Sequence, residues 1–212
     1  MIKCPLMWRK SSFASSLVAN SRFLRRLNLA GATSALGTLP SAWLKSASRL
    51  LTHLDLSRLG ITAISQGVFQ TSPLRSLNLS GNALRRLDDS LSGLESLWHL
   101  DLSRNSLVEV SEDAFSSLKQ LRSLDLSHNG LSRPAMSAVA PVTSLMVLSA
   151  AHNALGGAGR VPFPPNLRAL ILNNAGLDDR DLDWKDLAEL RVLHVANNEL
   201  VQLHPLQNLQ VR

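Results

Sequence analysis

Leucines recur along this chain at fixed spacing, with polar residues between them. The pattern L-x-x-L-x-L-x-x-N-x-L occurs eight times in 212 residues. The eight copies begin at Leu24, Leu51, Leu74, Leu97, Leu121, Leu145, Leu167 and Leu190, at intervals of 22 to 27 residues. The alternation L-x-L predicts a short strand that turns its leucines to one face. Because one copy cannot bury these leucines alone, we expect the copies to stack on one another.

The pattern and its period together resemble the leucine-rich repeat family. The copy that begins at Leu97 carries leucines at positions 100, 102 and 107, and Asn105 at its ninth position. The resemblance implies an α/β fold, a curved right-handed solenoid with a parallel sheet on the concave side and short helical or irregular turns on the convex side. Phe69 and Phe115 should fill the convex side of the core.

The ninth position of each copy resembles the asparagine ladder of that family. There the side chain bonds backbone groups that would otherwise lack partners. The asparagines in this place are Asn82, Asn105, Asn129, Asn153 and Asn198. Ala32, Leu59 and Ala175 take the place in copies one, two and seven, so we expect the ladder to be interrupted there.

The segment before the first copy differs in composition from the repeats. Residues 1–23 are serine-rich, carry lysine and arginine, and contain no acid. That composition is typical of a mitochondrial transit peptide, and no apolar stretch of a secretory signal is present. The alternative is a cap that shields the open end of the first copy. We therefore predict a basic segment at 1–23, for targeting, capping or both, and one domain of eight repeats at 24–212.

Charge and cysteine content favour an intracellular setting. Residues 1–54 hold eight of the basic residues and no acid, within a net charge of +6. Seventeen arginines against five lysines, with a pI near 10.4, are typical of proteins embedded in RNA–protein assemblies. The one cysteine, Cys4, lies outside the repeats, which favours a reducing compartment. No apolar run is long enough to predict a transmembrane segment.

Positions 2, 3, 5, 7 and 8 of each copy are expected on the concave surface, where curved solenoids bind their partners. Position 2 is arginine in five copies. We call this row the position-2 column: Arg25, Thr52, Arg75, Trp98, Arg122, Met146, Arg168 and Arg191. Position 8, on the far edge, contributes Arg58 and Arg104.

Two interpretations of these arginines stay open. Position 5 is acidic at Asp55, Asp101 and Asp125, so arginine–aspartate pairs between strands would keep the surface soluble. Alternatively, the arginines form a docking strip for planar anionic groups, on an acidic protein or on RNA phosphates. Trp98 is predicted to stand exposed as an anchor for a partner, or else to pack against a neighbouring arginine.

The C-terminal part of the chain favours apolar contacts. The concave positions there are Met146, Val147, Ala169, Ile171 and Val192, a composition that indicates a protein contact. The last copy ends with Leu206, Leu209 and Val211 before Arg212, and no capping element follows. Such an edge would expose apolar side chains and an unpaired strand, so either the chain continues past Arg212 or a partner covers the edge, and we favour a partner.

Catalytic, cofactor and metal sites are not predicted. His128 and His152 are adjacent on the concave face, but no third ligand is evident. The run Asp179-x-Asp181-x-Asp183 resembles a calcium loop, but Trp184 and Leu190 stand where glycine and glutamate are required. Nine aromatic residues, none of them tyrosine, leave little for base stacking, so any RNA contact would be to phosphate through the basic N-terminus.

These observations predict a non-catalytic protein-interaction scaffold, a subunit of a large intracellular assembly. The basic N-terminal segment favours the mitochondrion, and the arginine-rich composition favours a ribonucleoprotein such as the mitochondrial ribosome. The alternative is a cytoplasmic adaptor or regulatory subunit that binds an enzyme or a cytoskeletal motor through its concave face. The expected binding residues are Arg25, Arg58, Arg75, Trp98, Arg104, Arg122, Met146, Arg168, Ile171 and Arg191.

Overall fold

The repeats fold into short strands joined by turns with little helix. The computed structural model describes residues 23–31, 35–41, 44, 49–157, 159–182 and 187–201. Its strands are β1 (Arg26–Asn28), β2 (Gly37–Leu39), β3 (His53–Asp55), β4 (Ile61–Ile64), β5 (Ser76–Asn78), β6 (Arg86–Leu87), β7 (His99–Asp101), β8 (Glu109–Val110), β9 (Ser123–Asp125), β10 (Val147–Ser149), β11 (Ala169–Ile171) and β12 (Val192–His194). Its helical segments are a 3-10 turn at Asp89–Leu91 and the helix α1 at Arg133–Met136.

Several predictions fall outside the described residues. They are the basic segment up to residue 22, the ladder interruption at Ala32, and the C-terminal edge at Leu206, Leu209 and Val211. Phe23, at the end of the basic segment, is described and lies exposed to solvent.

One strand from each copy enters a single parallel sheet. Its order is β1-β3-β5-β7-β9-β10-β11-β12, and β2 with β4 and β6 with β8 form two small additional sheets. The register pairs equivalent positions of neighbouring copies, as in Leu77 with Leu100. The central leucine is buried in each of the first seven strands of this eight-stranded sheet and half-buried in the last one, β12. The predicted parallel-sheet solenoid is therefore confirmed.

The leucines of successive copies pack into one continuous core that runs the length of the solenoid. Phe69 and Phe115, which are 0% and 2% exposed, belong to it, as predicted. Burying a leucine or phenylalanine side chain contributes about 1.5–3 kcal/mol, so each copy is stabilised chiefly by leucines that only its neighbours can cover.

Where a copy has asparagine at position 9, that side chain joins it to the copy before it. Asn105 Oδ1 accepts a hydrogen bond from the Leu84 backbone N–H at 3.1 Å. Its Nδ2 donates to the carbonyl oxygens of Leu79 and Leu102, at 3.1 and 2.9 Å. The same arrangement recurs at Asn82, Asn129, Asn153 and Asn198. The side chains thus satisfy backbone groups of two successive copies.

Two of the predicted ladder interruptions are confirmed, and a backbone carbonyl substitutes for the missing side chain. The Leu36 N–H donates to the Leu59 carbonyl at 2.8 Å, and the Leu155 N–H donates to the Ala175 carbonyl at 3.0 Å. These direct bonds bring the two backbones close together. A Cβ on Gly156 would lie 1.6 Å from the carbonyl oxygen of Gly176, so only glycine fits there.

Position 8 has a left-handed backbone in every copy. The φ angles lie between 54° and 70° at Gly31, Arg58, Gly81, Arg104, His128, His152, Asn174 and Asn197. Glycine and asparagine adopt this conformation readily, whereas arginine and histidine lose roughly 1 kcal/mol or more. The strained turn starts the descent of the chain from the sheet toward the ladder.

Removal of one ladder asparagine tests this account. Asn105→Ala leaves the Leu84 N–H without its acceptor. The carbonyls of Leu79 and Leu102 each lose one of two asparagine donors and keep the bond from Asn82 or Asn129. We therefore expect the free energy of unfolding to fall by about 1–3 kcal/mol. Urea titration of the variant beside Ser106→Ala, an exposed neighbour, measures the loss. A change below about 0.5 kcal/mol for Asn105→Ala, the level of an ordinary surface substitution, would contradict the structural role of the ladder.

Candidate functional site

Backbone hydrogen bonds connect the position-2 column from one copy to the next. The Arg75 N–H donates to the Thr52 carbonyl, the Trp98 N–H to the Arg75 carbonyl and the Arg122 N–H to the Trp98 carbonyl, at 2.8 to 2.9 Å. The chain of bonds continues through Met146 to the two arginines at 168 and 191. The eight side chains therefore leave the edge of the sheet at regular intervals, one strand spacing apart.

Trp98 is enclosed by the two arginines beside it in this column. The Arg75 Cζ lies 4.7 Å from the indole centroid and the Arg122 Cζ lies 4.9 Å from it. The indole Nε1 donates a hydrogen bond to Gln120 Oε1 at 3.0 Å. The prediction that Trp98 stands exposed is wrong: the side chain is half-buried, because the arginine packing that was the alternative is the one that forms. Sequence analysis did not identify Gln120.

The arginines of this sandwich keep their hydrogen-bonding capacity for a partner. Arg75 and Arg122 are exposed, and neither forms an ion pair with a carboxylate of the described ranges. Ion pairs in the described ranges include Arg86 with Glu109, at 3.1 Å, and Arg180 with Asp178. Arginine–aspartate pairing between the strands of the main sheet therefore does not account for these arginines.

The aspartates of position 5 serve the turn that follows their strand. Asp101 Oδ1 accepts hydrogen bonds from the Ser103 N–H at 2.9 Å and from its hydroxyl at 2.7 Å. An equivalent hydrogen bond, from the backbone N–H two residues later to the side-chain Oδ1, is accepted at position 5 of four other copies, by Asn28, Asp55, Asn78 and Asp125. Position 7 was predicted to face the concave surface, but this turn buries it in several copies: Ser57, Ser103, Ser127 and Ala151. Local turn formation thus explains the acidic row.

An apolar patch covers the C-terminal part of the same face. It consists of Met146, Val147, Ala169, Ile171 and Val192. The register places Val147 beside Ala169, and Ala169 beside Val192. Val147 and Val192 are 37% and 44% exposed. The predicted apolar composition is thus a contiguous surface across β10, β11 and β12.

The opposite half of the face is electropositive around β3. Partial burial lowers the pKa of His53, and the charges of Arg26, Arg75 and His99 lower it further. Arg26 and Arg75 thus make protonation of His53 less favourable, while Asp55 is the one carboxylate on the same strand.

The far edge of the strands carries a different set of residues. Arg58 and Arg104 are exposed there, at position 8, and lie across the sheet from the position-2 column. The rings of His128 and His152 stack with centroids 4.1 Å apart and planes inclined by 11°. Burial, then His152 and Arg104, lower the pKa of His128. The predicted binding arginines thus lie on two different edges of the concave face: Arg58 and Arg104 at position 8, and the others in the position-2 column.

Other candidate chemistry is limited. Within the described ranges, no three histidine, cysteine or acidic side chains are placed to hold a metal ion. The acidic run is used locally, since Asp181 Oδ2 accepts the Asp178 N–H and Asp178 Oδ1 accepts the Arg180 N–H, both at 2.8 Å. Asp181 thus binds the N–H three residues before it and Asp178 binds the N–H two residues after it, so both carboxylates satisfy backbone donors of their own loop. No helix in the described part of the chain is long and apolar enough to cross a membrane.

A pocket of about 300 Å³ lies away from the concave face, between the loops of copies four and five. Glu112, Asp113 and Lys119 stand at its polar side, and Phe115 and Val142 supply apolar lining. Sequence analysis gave no signal for it, because its residues belong to loops whose path the repeat pattern does not specify.

Comparison with known proteins gives consistent matches. A family model described as leucine rich repeat matches residues 49–107 and 100–155. Vasorin of Xenopus tropicalis is 47% identical over 58 residues, which are 27% of this chain and 9% of vasorin. The crystal structure of a TLR13–ssRNA13 complex is similar with a TM-score of 0.67 and 25% identity, over 86% of this chain and 30% of that chain.

The structure of the Toll–Spatzle complex from Drosophila is similar with a TM-score of 0.72 and 22% identity. The match covers 84% of this chain and 26% of that one, and it shows the fold alone. The chain therefore spans less than a third of the length of each of these proteins.

Proposed function

Because the chain belongs to the leucine-rich repeat family, we propose that it is a non-catalytic scaffold that binds a protein partner across the concave face of its sheet. The position-2 column carries this proposal. Its guanidinium groups are exposed, they have no carboxylate partner within the described ranges, and backbone hydrogen bonds fix their spacing. Guanidinium groups at regular spacing can bind carboxylates or phosphates through bidentate hydrogen bonds, which contribute to affinity and also orient the ligand.

A protein partner is favoured over single-stranded RNA. The two similar structures are complexes, one of TLR13 with ssRNA13 and one of Toll with Spatzle. Binding of single strands relies on aromatic faces on which bases stack. Trp98 has arginines packed against its ring, and Phe69, Phe115 and Phe163 are buried. Among the described Trp and Phe side chains only Phe23, before the first copy, is exposed, so there is no row of rings for successive bases. Phosphate contacts by the basic N-terminus remain a prediction outside the described residues.

The wider assembly is a further part of the proposal. We assign the partner to a large intracellular assembly in the mitochondrion, a ribonucleoprotein such as the mitochondrial ribosome, on the basis of the acid-free segment 1–23 and the arginine-rich composition. A cytoplasmic adaptor or regulatory subunit that binds an enzyme or a cytoskeletal motor is the alternative. In both alternatives the concave face binds the partner, and the two differ in the cellular compartment of the protein.

Location is tested by the N-terminal segment itself. A fusion of residues 1–30 to a fluorescent protein should accumulate in mitochondria of cultured cells, because the segment carries basic residues, serines and no acid. The matched control replaces Lys3, Arg9, Lys10 and Arg22 by glutamine and should remain cytosolic. A diffuse signal from the unmodified fusion would favour the cytoplasmic alternative.

Charge reversal tests the concave face. The combined change Arg75→Glu, Arg122→Glu and Arg168→Glu should abolish co-purification of the natural partner, while each exposed substitution costs about 0.5 kcal/mol of stability or less. The charge-matched control places three glutamates away from the column, at Arg85, Lys119 and Arg160, which are all exposed. Partner retention by the column variant, or equal loss in both variants, would show that the concave edge is not the interface.

A further inference from the structure

The position-2 column and the apolar patch are parts of one continuous surface. Position 3, next to the column, is polar at His99 and Ser123 and becomes Val147 at the following strand. The register is unbroken at this change, because Ser123 pairs with Val147, which pairs with Ala169. An extended ligand lying along this edge therefore meets arginine side chains at position 2 and, from β10 onward, aliphatic side chains at position 3, beside Arg168 and Arg191 of the column.

The spacing of the arginines selects a ligand geometry. Arg75 and Arg122 lie on either side of Trp98, two strands apart, so their guanidinium groups are roughly 10 Å apart. In a polyproline II segment, residues i and i+3 lie on the same side and about 9 Å apart. In an α-helix, residues i and i+4 are only about 6 Å apart along the axis. Carboxylates three residues apart in an extended peptide therefore match the two arginines.

The charges of the face place such a ligand on the column side. Asp101 and Asp125 occupy the middle of the sheet on adjacent strands and would repel a carboxylate. His99 and Ser123 separate them from the position-2 column. Acidic side chains are thus attracted to the edge and excluded from the centre.

The exposed valines of the apolar patch are spaced by the same strand-to-strand distance as the arginines. Val147 lies one strand beyond Arg122, about 5 Å away along the sheet, and Val192 lies two strands beyond Val147, about 10 Å further. Both valines are more than a third exposed and lie on either side of Ala169, so they are available for apolar contact with a partner. An aliphatic residue close behind the second acid, and another three residues later, would cover them.

We propose that this edge binds one extended peptide segment of a protein partner, in which two acidic residues three positions apart are followed by two aliphatic residues three positions apart. The inference rests on the proposed function, since it states the chemistry of the partner that the concave face binds. Arg75 and Arg122 bind the carboxylates, Trp98 holds both guanidinium groups in place between them, and Val147 and Val192 contact the aliphatic side chains.

Four synthetic peptides provide the test with the full chain. The peptide EPPEPLPPL presents the proposed spacing in a proline-rich, extended frame. The comparison peptides are EEPPPLPPL, which has the same composition with adjacent acids, QPPQPLPPL, which has no charge, and EPPEPSPPS, which has no aliphatic residues. Calorimetry should show that the first peptide binds at least about tenfold more tightly than each of the others, equivalent to 1.4 kcal/mol.

Protein variants locate the effect. The double variant Arg75→Gln, Arg122→Gln should bind the charged and uncharged peptides equally, and Val147→Ser, Val192→Ser should remove the preference for the aliphatic residues. The control Arg85→Gln, Lys119→Gln changes two exposed basic residues off this edge and should keep every preference. Thermal unfolding of each variant checks that it is folded.

Equal affinity for the four peptides, no binding of the first one, or preferences that survive in the double variants would overturn the inference. These outcomes are distinguishable from failure of the proposed function. If charge reversal of the column removes the natural partner while the peptides show no preference, the concave face is the interface but it does not bind this kind of segment.

Discussion

Each repeat contributes three residues to the main sheet, too few to satisfy its own backbone or to cover its own leucines. Everything else in the molecule depends on pairing with the next copy in the same register. The ladder asparagines show this dependence directly, since Asn105 bonds the Leu84 N–H of one copy and the Leu102 carbonyl of its own. A shift of register by one residue would turn the leucines out of the core and break these bonds together.

The same constraint gives the concave face its regularity. Because equivalent residues are paired across every strand, each variable position becomes a straight row one strand spacing apart. The side chains at position 5 form the turn after each strand, and the residues at position 8 have a left-handed backbone. The side chains at positions 2 and 3 are therefore the ones left to contact a partner. The functional information of the chain is therefore concentrated in two adjacent rows. Arginines and one tryptophan occupy position 2, and position 3 changes from polar residues to valines and an alanine from β10 onward.

The fold follows from the sequence because its signal is repeated eight times, whereas the site depends on interactions that occur once. The spacing of leucines predicts the strands, the sheet and the burial of Phe69 and Phe115. It also predicts which copies lack a ladder side chain, but not that the Ala175 carbonyl takes over its bond. The half-burial of Trp98 depends on the rotamers of Arg75 and Arg122, and on Gln120 in the loop before the next copy. Sequence spacing carries no information about such side-chain contacts, so Trp98 was misjudged as exposed.

The central claim is that Trp98 preorganises two arginines of the column for binding. A contact between a guanidinium group and an aromatic ring near the protein surface contributes about 0.5–1 kcal/mol, enough to bias a side chain without fixing it. Nuclear magnetic resonance relaxation of the arginine Nε–H groups measures this directly. The order parameters of Arg75 and Arg122 should exceed those of Arg168 and Arg191, which stand in the same column without a neighbouring tryptophan, and Trp98→Leu should remove the difference. Equal order parameters for the four arginines in the unmodified protein would contradict the account.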